Sequence, residues 1–294
     1  IKSLDMKTTN IQPATKTLSS LLFLTDEPDE HLYINIADAI LAYGEAAIPF
    51  LKMKIGETSD VFQRNRLKSL IYIIERRSIV EKLKLWREKR EYDLMEPYFI
   101  LSKYRFPKAD WASVGFQLVM IIEQAEKEID QDLTPLEQVK ILNHIIYDIN
   151  KFRGDTLSIN NPNYYFINTL LETRMGNPLS LGMLYCIVAE RLGIPIYGID
   201  LPNHFILAFC KKTEGFPKLE DVLFYINPYN KGNVLTRNDI RNYLREIDVK
   251  SELKYFEPSG NTLIVKKWFN TLIETYSTIG KNNEANEMRE IMNY

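Results

Sequence analysis

Gly176-Asn177-Pro178-Leu179-Ser180-Leu181-Gly182, running on to Arg191-Leu192-Gly193-Ile194-Pro195, carries more structural information than any other segment of the chain. Proline early in an apolar run pre-sets a helical φ where its missing N–H costs nothing, and Gly193 supplies a C′ stop. The spacing predicts a largely buried helix over 178–192, capped by Asn177 or a neighbour, with Ser180 in its first turn. Residues 195–200, 204–211 and 222–227 follow as short apolar, partly β-branched runs, which predict strands.

Upstream the chain reads as helix. Leu32, Tyr33, Ile36, Ala39, Ile40 and Tyr43 recur at helical spacing up to a break at Gly44-Glu45. Residues 46–55 then place Pro49 in a first turn and Ile48, Leu51 and Ile55 on one face, completing a helical hairpin. A shift of about 31 residues brings Ile36 onto Leu67, Ala39 onto Leu70, Ile40 onto Ile71 and Ile48 onto Ile79, which predicts a second hairpin. Such units resemble HEAT-type repeats, so 15–91 is expected to be a small helical array. Residues 94–104, 111–128 and 135–152 carry further helical patterns, the last opened by Thr134-Pro135. Residues 155–163 form a polar, Asn-rich loop. At the end of the sequence, 263–279 and 284–294 make a hairpin around Gly280-Lys281-Asn282-Asn283, similar to a tetratricopeptide-type unit.

The 294 residues are 45% hydrophobic and 26% charged, ordinary globular usage, and the length favours about two domains. Helical periodicity before Phe152 and short apolar runs after Gly193 predict an α+β fold, predominantly helical. Its expected parts are a helical region over 1–133, a mixed core over 134–256 and a helical hairpin over 257–294. Lys and Arg (37) balance Asp and Glu (39) to a net charge of -2, which gives no overall field to gather nucleic acid or anionic membrane. The uncharged stretch 176–189 is too short to span a bilayer. Ile1-Lys2-Ser3-Leu4-Asp5 has no apolar signal region, and Cys186 and Cys210, the two cysteines, have no disulfide-framework spacing, so a cytoplasmic setting with both thiols buried is expected. Residues 82–90, basic around Trp86, read as a solvated helix face. There is no P-loop, GxGxxG or HExxH, and His31, His144 and His204 lack metal-ligand spacing, so no cofactor or metal is expected.

Pro178-Leu179-Ser180-Leu181-Gly182 nearly matches GxSxG, but proline stands where the sharp nucleophile turn needs glycine. The absence of an alternating parallel βα series before it also counts against an α/β-hydrolase. Gly176–Leu181 together with Arg191-Leu192-Gly193-Ile194-Pro195, Leu201-Pro202-Asn203-His204-Phe205 and Ile226-Asn227-Pro228 resembles the SirB-type branch of the bacterial transglutaminase-like proteins. Asn161-Pro162 and Asn168 look like that family's DPxNSYLN stretch. The resemblance covers roughly 140–245 and implies a papain-like core in which a helix presents its first turn to a small antiparallel sheet.

Carried over residue by residue, the resemblance implies a degenerate site. The nucleophile segment holds no cysteine, and Ser180 is its only nucleophilic side chain. His204 matches the catalytic histidine, and Asn227 stands where the family has aspartate. Cys186 cannot substitute, lying about 9 Å along the helix from Ser180 and rotated by about 240°. Cys210 lies about 20 Å along the strand from His204. Serine cannot form a thiolate–imidazolium pair, and loss of the carboxylate from a Ser-His-Asp site costs about 10⁴ in turnover. The expectation is therefore an inactive protein that binds a protein or peptide partner. The alternative is an amide or ester hydrolase, or an acyltransferase, in which Ser180 attacks, His204 moves the proton and Asn227 orients the imidazole.

Overall fold

The computed structural model describes residues 11–89, 93–130, 132–156 and 160–293. The readings of Ile1–Asp5 and of part of the loop at 155–163 therefore lie outside the described residues. The chain divides into two compact units, Ile1–Lys82 and Leu83–Tyr294.

The first unit holds α1 (Ile11–Phe23), α2 (Glu30–Leu41), α3 (Ile48–Glu57) and most of α4 (Val61–Glu88). The Asp29 carboxylate accepts the free N–H groups of His31 and Leu32 and starts α2. Gly44, at φ +55, turns the chain into α3. Leu22, Ile40, Leu51, Leu67 and Ile74 pack into one core between these helices. Arg66 of α4 lies over the Tyr33 ring at 3.6 Å and bonds the Glu27 carbonyl at 2.5 Å and Glu30 at 2.8 Å. It fastens α4 to the start of α2. The second expected hairpin does not form, because α4 runs unbroken for 28 residues. The 31-residue shift places Glu75 where the first hairpin has Gly44, and glutamate is a good helix former with no freedom at positive φ.

The second unit begins with α5 (Met95–Arg105), α6 (Trp111–Glu128) and α7 (Pro135–Asn143), the last continued by a π-helical turn over His144–Ile149. Trp86 is buried here, its indole N–H bonded to the Asp93 carbonyl, so residues 82–90 are not simply a solvated face. Then come β1 (Arg153–Gly154), α8 (Ile167–Thr173), β2 (Met175–Gly176), α9 (Pro178–Arg191), β3 (Ile196–Leu201), β4 (His204–Cys210), β5 (Val222–Asn227), β6 (Asn233–Leu235), α10 (Arg237–Glu246), α11 (Asn261–Thr278) and α12 (Asn282–Met292). β1 and β2 pair in parallel; β3-β4-β5-β6 form an antiparallel sheet in that order. The sequence reading draws its first boundary at 133, whereas the compact division falls after Lys82. α5 and α6 pack on α8, and α6 also meets α9, which keeps them with the sheet.

α9 is buried continuously from Leu179 to Ala189. It lies so close to β4 that a Cβ on Gly182 would sit 2.4 Å from the Phe205 ring. On the opposite face, Ile199, Ile206, Ala208, Cys210 and Tyr225 pack against Ile240 and Leu244 of α10. Cys186 and Cys210 are both free and buried, as expected. Glu190, at the far end of α9, accepts the Leu94 N–H at 3.2 Å and the Asn261 amide at 2.6 Å, tying the starts of α5 and α11 to it. Burial pushes its carboxyl above the usual range. Trp268 of α11 meets Tyr98 edge-on at 5.0 Å and donates to the Tyr165 carbonyl.

These contacts give Gly182 a measurable role. In an unhindered helix, Gly→Ala stabilises by about 1 kcal/mol. Here Gly182→Ala is expected to destabilise by about 1–3 kcal/mol in urea melts, because Phe205 must move. A gain in stability would contradict the close packing of α9 on β4.

Candidate functional site

The first turn of α9 is a reciprocal cap. The Asn177 side chain accepts the Ser180 N–H at 2.8 Å, and the Ser180 hydroxyl oxygen accepts the Asn177 N–H at 3.1 Å. The Ser180 hydroxyl also lies 3.4 Å from the Asn177 carbonyl, to which it donates. Ser180 is 1% exposed and Asn177 likewise 1%. Helix α9 thus forms as the sequence predicts, with the hydroxyl of the candidate nucleophile committed to its own helix start.

His204 opens β4, paired with Leu201 of β3. Alternation along the strand sends Phe205 toward α9 and sets His204 on the side of Ile206 and Ala208. Its ring meets Tyr243 of α10 at 5.8 Å and Tyr229 at 6.4 Å between centroids. Tyr243 in turn donates to the Pro202 carbonyl at 2.7 Å, holding the turn that precedes the histidine. Burial, aided by the Lys267 ammonium, pulls the His204 pKa down to about 4. The imidazole is therefore neutral at pH 7.

Asn227 ends β5, and its side-chain oxygen accepts the N–H groups of Tyr229 and Asn230 at 3.1 and 3.2 Å. It caps the turn Pro228–Asn230. The ladder pairs Leu207 with Ile226, so one further step sets Asn227 across from Ile206 rather than His204. Among the described residues no hydrogen bond links Ser180, His204 and Asn227. The buried His204–Asn227 contact that a retained pair would make is replaced by ring contacts with two tyrosines.

His204 and Phe205 do share a cleft of about 300 Å³ with Asn177, Pro178 and Leu179. Its third wall is α11, through Lys267, Thr271, Glu274, Thr275 and Thr278. Lys267 pairs with Asp200 and donates to the Leu201 carbonyl at 2.9 Å. The sequence reading missed this wall and both tyrosines. A signal existed, since these polar residues recur at helical spacing along one flank of the buried Ile264, Trp268, Leu272 and Tyr276. Among the described residues no cluster of His, Cys, Asp and Glu is arranged to hold a metal ion.

The state of His204 can be read directly. A half-buried base with a depressed pKa stabilises the fold fully above its unfolded value near 6.5, and that contribution is lost as pH falls toward about 4. The His204 ring resonance is expected to titrate near pH 4 by NMR, and the stability of His204→Gln to fall less than wild type between pH 6.5 and 4. A midpoint at or above 6.5 would contradict the half-buried, neutral ring.

Among the described residues no single helix is long and apolar enough to cross a membrane. No solved structure matches the chain. It is 29% identical to F-box only protein 21 of Mus musculus over 132 residues, which are 45% of this chain and 20% of that protein. It is 25% identical over 169 residues to a UPF0162 protein of Xylella fastidiosa strain 9a5c, covering 55% of this chain and 57% of the relative. The UPF0162 protein YchA of Escherichia coli K12 is 27% identical over 171 residues, 57% and 59% of the two chains. The chain thus spans a fifth to under two thirds of the length of these relatives. The family model of the transglutaminase-like superfamily matches residues 113–270, which takes in α9, the four-stranded sheet and the first half of α11 with Lys267, but not Thr271, Glu274, Thr275 and Thr278. With more than half of its length matched in this way, the chain belongs to the transglutaminase-like superfamily.

Proposed function

We propose that this chain is a SirB-type member that no longer performs acyl transfer and uses the cleft between α9, β4 and α11 to hold a peptide segment of a protein partner. The observation that carries this reading is the commitment of the Ser180 hydroxyl to the cap of α9, behind the residues that line the cleft. A nucleophile must reach the substrate carbonyl with its base within hydrogen-bond distance. Ser180 meets neither condition, and Asn227 spends its oxygen on a turn. A groove walled by apolar Pro178, Leu179 and Phe205 on one side and by the polar stripe of α11 on the other suits a backbone in extended conformation. The stretch shared with F-box only protein 21 is a fifth of that protein, which supports reading it as a module. The unpaired, buried cysteines fit a reducing, cytoplasmic setting.

Two readouts test this. Hydrolysis of activated esters and aminolysis of peptide amides should be the same for wild type and Ser180→Ala, while Ser180→Ala loses about 1–2 kcal/mol of stability with its cap bond. Binding to an array of extended peptides should be lost in Thr271→Arg, which fills the cleft from the half-buried face of α11, while the protein still melts in one cooperative transition. Turnover abolished by Ser180→Ala would establish the rival in which Ser180, His204 and Asn227 act together. Peptide binding that survives Thr271→Arg would place the interaction elsewhere.

A further inference from the structure

The cleft has two chemically different ends. At the α9 end, Leu179 sits at the second helical position, where the backbone N–H has no intrahelical acceptor. Beside it, Asn177 gives its side-chain oxygen to Ser180, yet its Nδ2 is buried with no hydrogen-bond partner. A buried amide donor is costly to leave unfilled, and nearly all such groups in folded proteins have an acceptor. Asn177 and Leu179 both line the cleft, so a ligand oxygen can supply it. Lys267 lines the same cleft, with the Asp200 carboxylate and the Leu201 carbonyl taking two of its three protons. The positive end of the α9 dipole adds to this field. Asn177 Nδ2, the Leu179 N–H and the third Lys267 proton are the unfilled donors at this end, beside the neutral His204 ring, and their field favours an anion.

The α11 wall has the opposite character. The Thr271 and Thr275 hydroxyls donate to the carbonyls of Lys267 and Thr271, at 2.9 and 2.7 Å, so Thr271 faces a ligand as an acceptor only, while Thr275 also meets the Tyr165 hydroxyl. Glu274 adds an exposed carboxylate that forms no ion pair among the described residues. It stands seven residues from Lys267, about 10 Å along the helix, which an extended peptide covers in about three residues.

Resting on the reading of the cleft as a peptide site, we propose that it recognises a carboxylate on an extended segment. The carboxylate is received by Asn177 Nδ2 and the Leu179 N–H beside Lys267, with a basic side chain about three residues upstream facing Glu274. Two unfilled donors match the two oxygens of a carboxylate better than the single oxygen of an amide. Asp200 offsets part of the Lys267 charge, which leaves the helix start and the Asn177 amide to make the selection. The carboxylate can belong to a chain terminus or to an aspartate or glutamate side chain.

Fluorescence anisotropy with three labelled probes tests this: Lys-Ala-Ala-Leu with a free carboxylate, the same peptide amidated, and amidated Lys-Ala-Ala-Glu. Wild-type protein is expected to bind at least one carboxylate probe at least about tenfold more tightly than the amidated leucine peptide. Preference for the first assigns the group to a chain terminus; equal affinity for the first and third assigns it to any carboxylate. Asn177→Asp keeps the capping oxygen but replaces the donor with a repelling oxygen, and should erase the preference. Asn177→Ser, which also caps but lacks Nδ2, serves if the aspartate variant fails to fold. Equal affinity for all three probes, or a preference that survives these variants, overturns the carboxylate assignment while leaving Thr271→Arg-sensitive peptide binding intact. No binding of either carboxylate probe at millimolar protein also overturns it, and binding of other peptides then decides the broader reading separately.

Discussion

A helix buried from Leu179 to Ala189 cannot leave the N–H groups of its first turn to bulk water. Asn177 and Ser180 satisfy two of the donors at the start of α9 reciprocally, while the Leu179 N–H has no intrahelical acceptor. That requirement fixes the chemistry available to the cleft. Ser180, the nucleophilic side chain of this segment, is a short hydroxyl turned back on its own backbone. The same burial brings Phe205 onto Gly182, so the sheet is held against α9 at a distance that only glycine permits.

The fate of His204 follows from strand alternation. Because Phe205 packs on α9, its neighbour lies on the α10 side, between Tyr229 and Tyr243, and the pull on its pKa is that of a half-buried ring beside a lysine. Asn227 sits two ladder steps from the position that would meet it and closes a turn. Each of the three residues therefore makes its own local contacts, and among the described residues no hydrogen bond joins them.

Much of this is legible in the sequence, where the signal is local. Pro178 and Gly193 bracket α9 because each has one conformational role there, and Gly44 marks the first hairpin by its positive φ. The 31-residue similarity is misleading at Glu75, since apolar spacing alone does not encode a break in a helix. β6 and α10 go unread. Asn233–Leu235 is too short for a period, and Arg237–Glu246 carries few apolar residues apart from Ile240, Tyr243 and Leu244. The role of Ser180 is partly legible, because Asn-Pro-Leu-Ser has cap spacing. Its separation from His204 is not, because that depends on which face of β4 meets α9, a consequence of long-range packing. The α11 wall depends on a contact between segments 90 residues apart.

The account turns on where the side chain at position 180 points. Ser180→Cys places a thiol of nearly the same shape in the cap, and iodoacetamide followed by intact mass reads its access under native conditions. The account predicts that native Ser180→Cys protein is alkylated at this position at least about a hundredfold more slowly than a free thiol, as slowly as buried Cys186, and promptly once unfolded. Rapid native alkylation at position 180 would show the side chain open to the cleft and would contradict it.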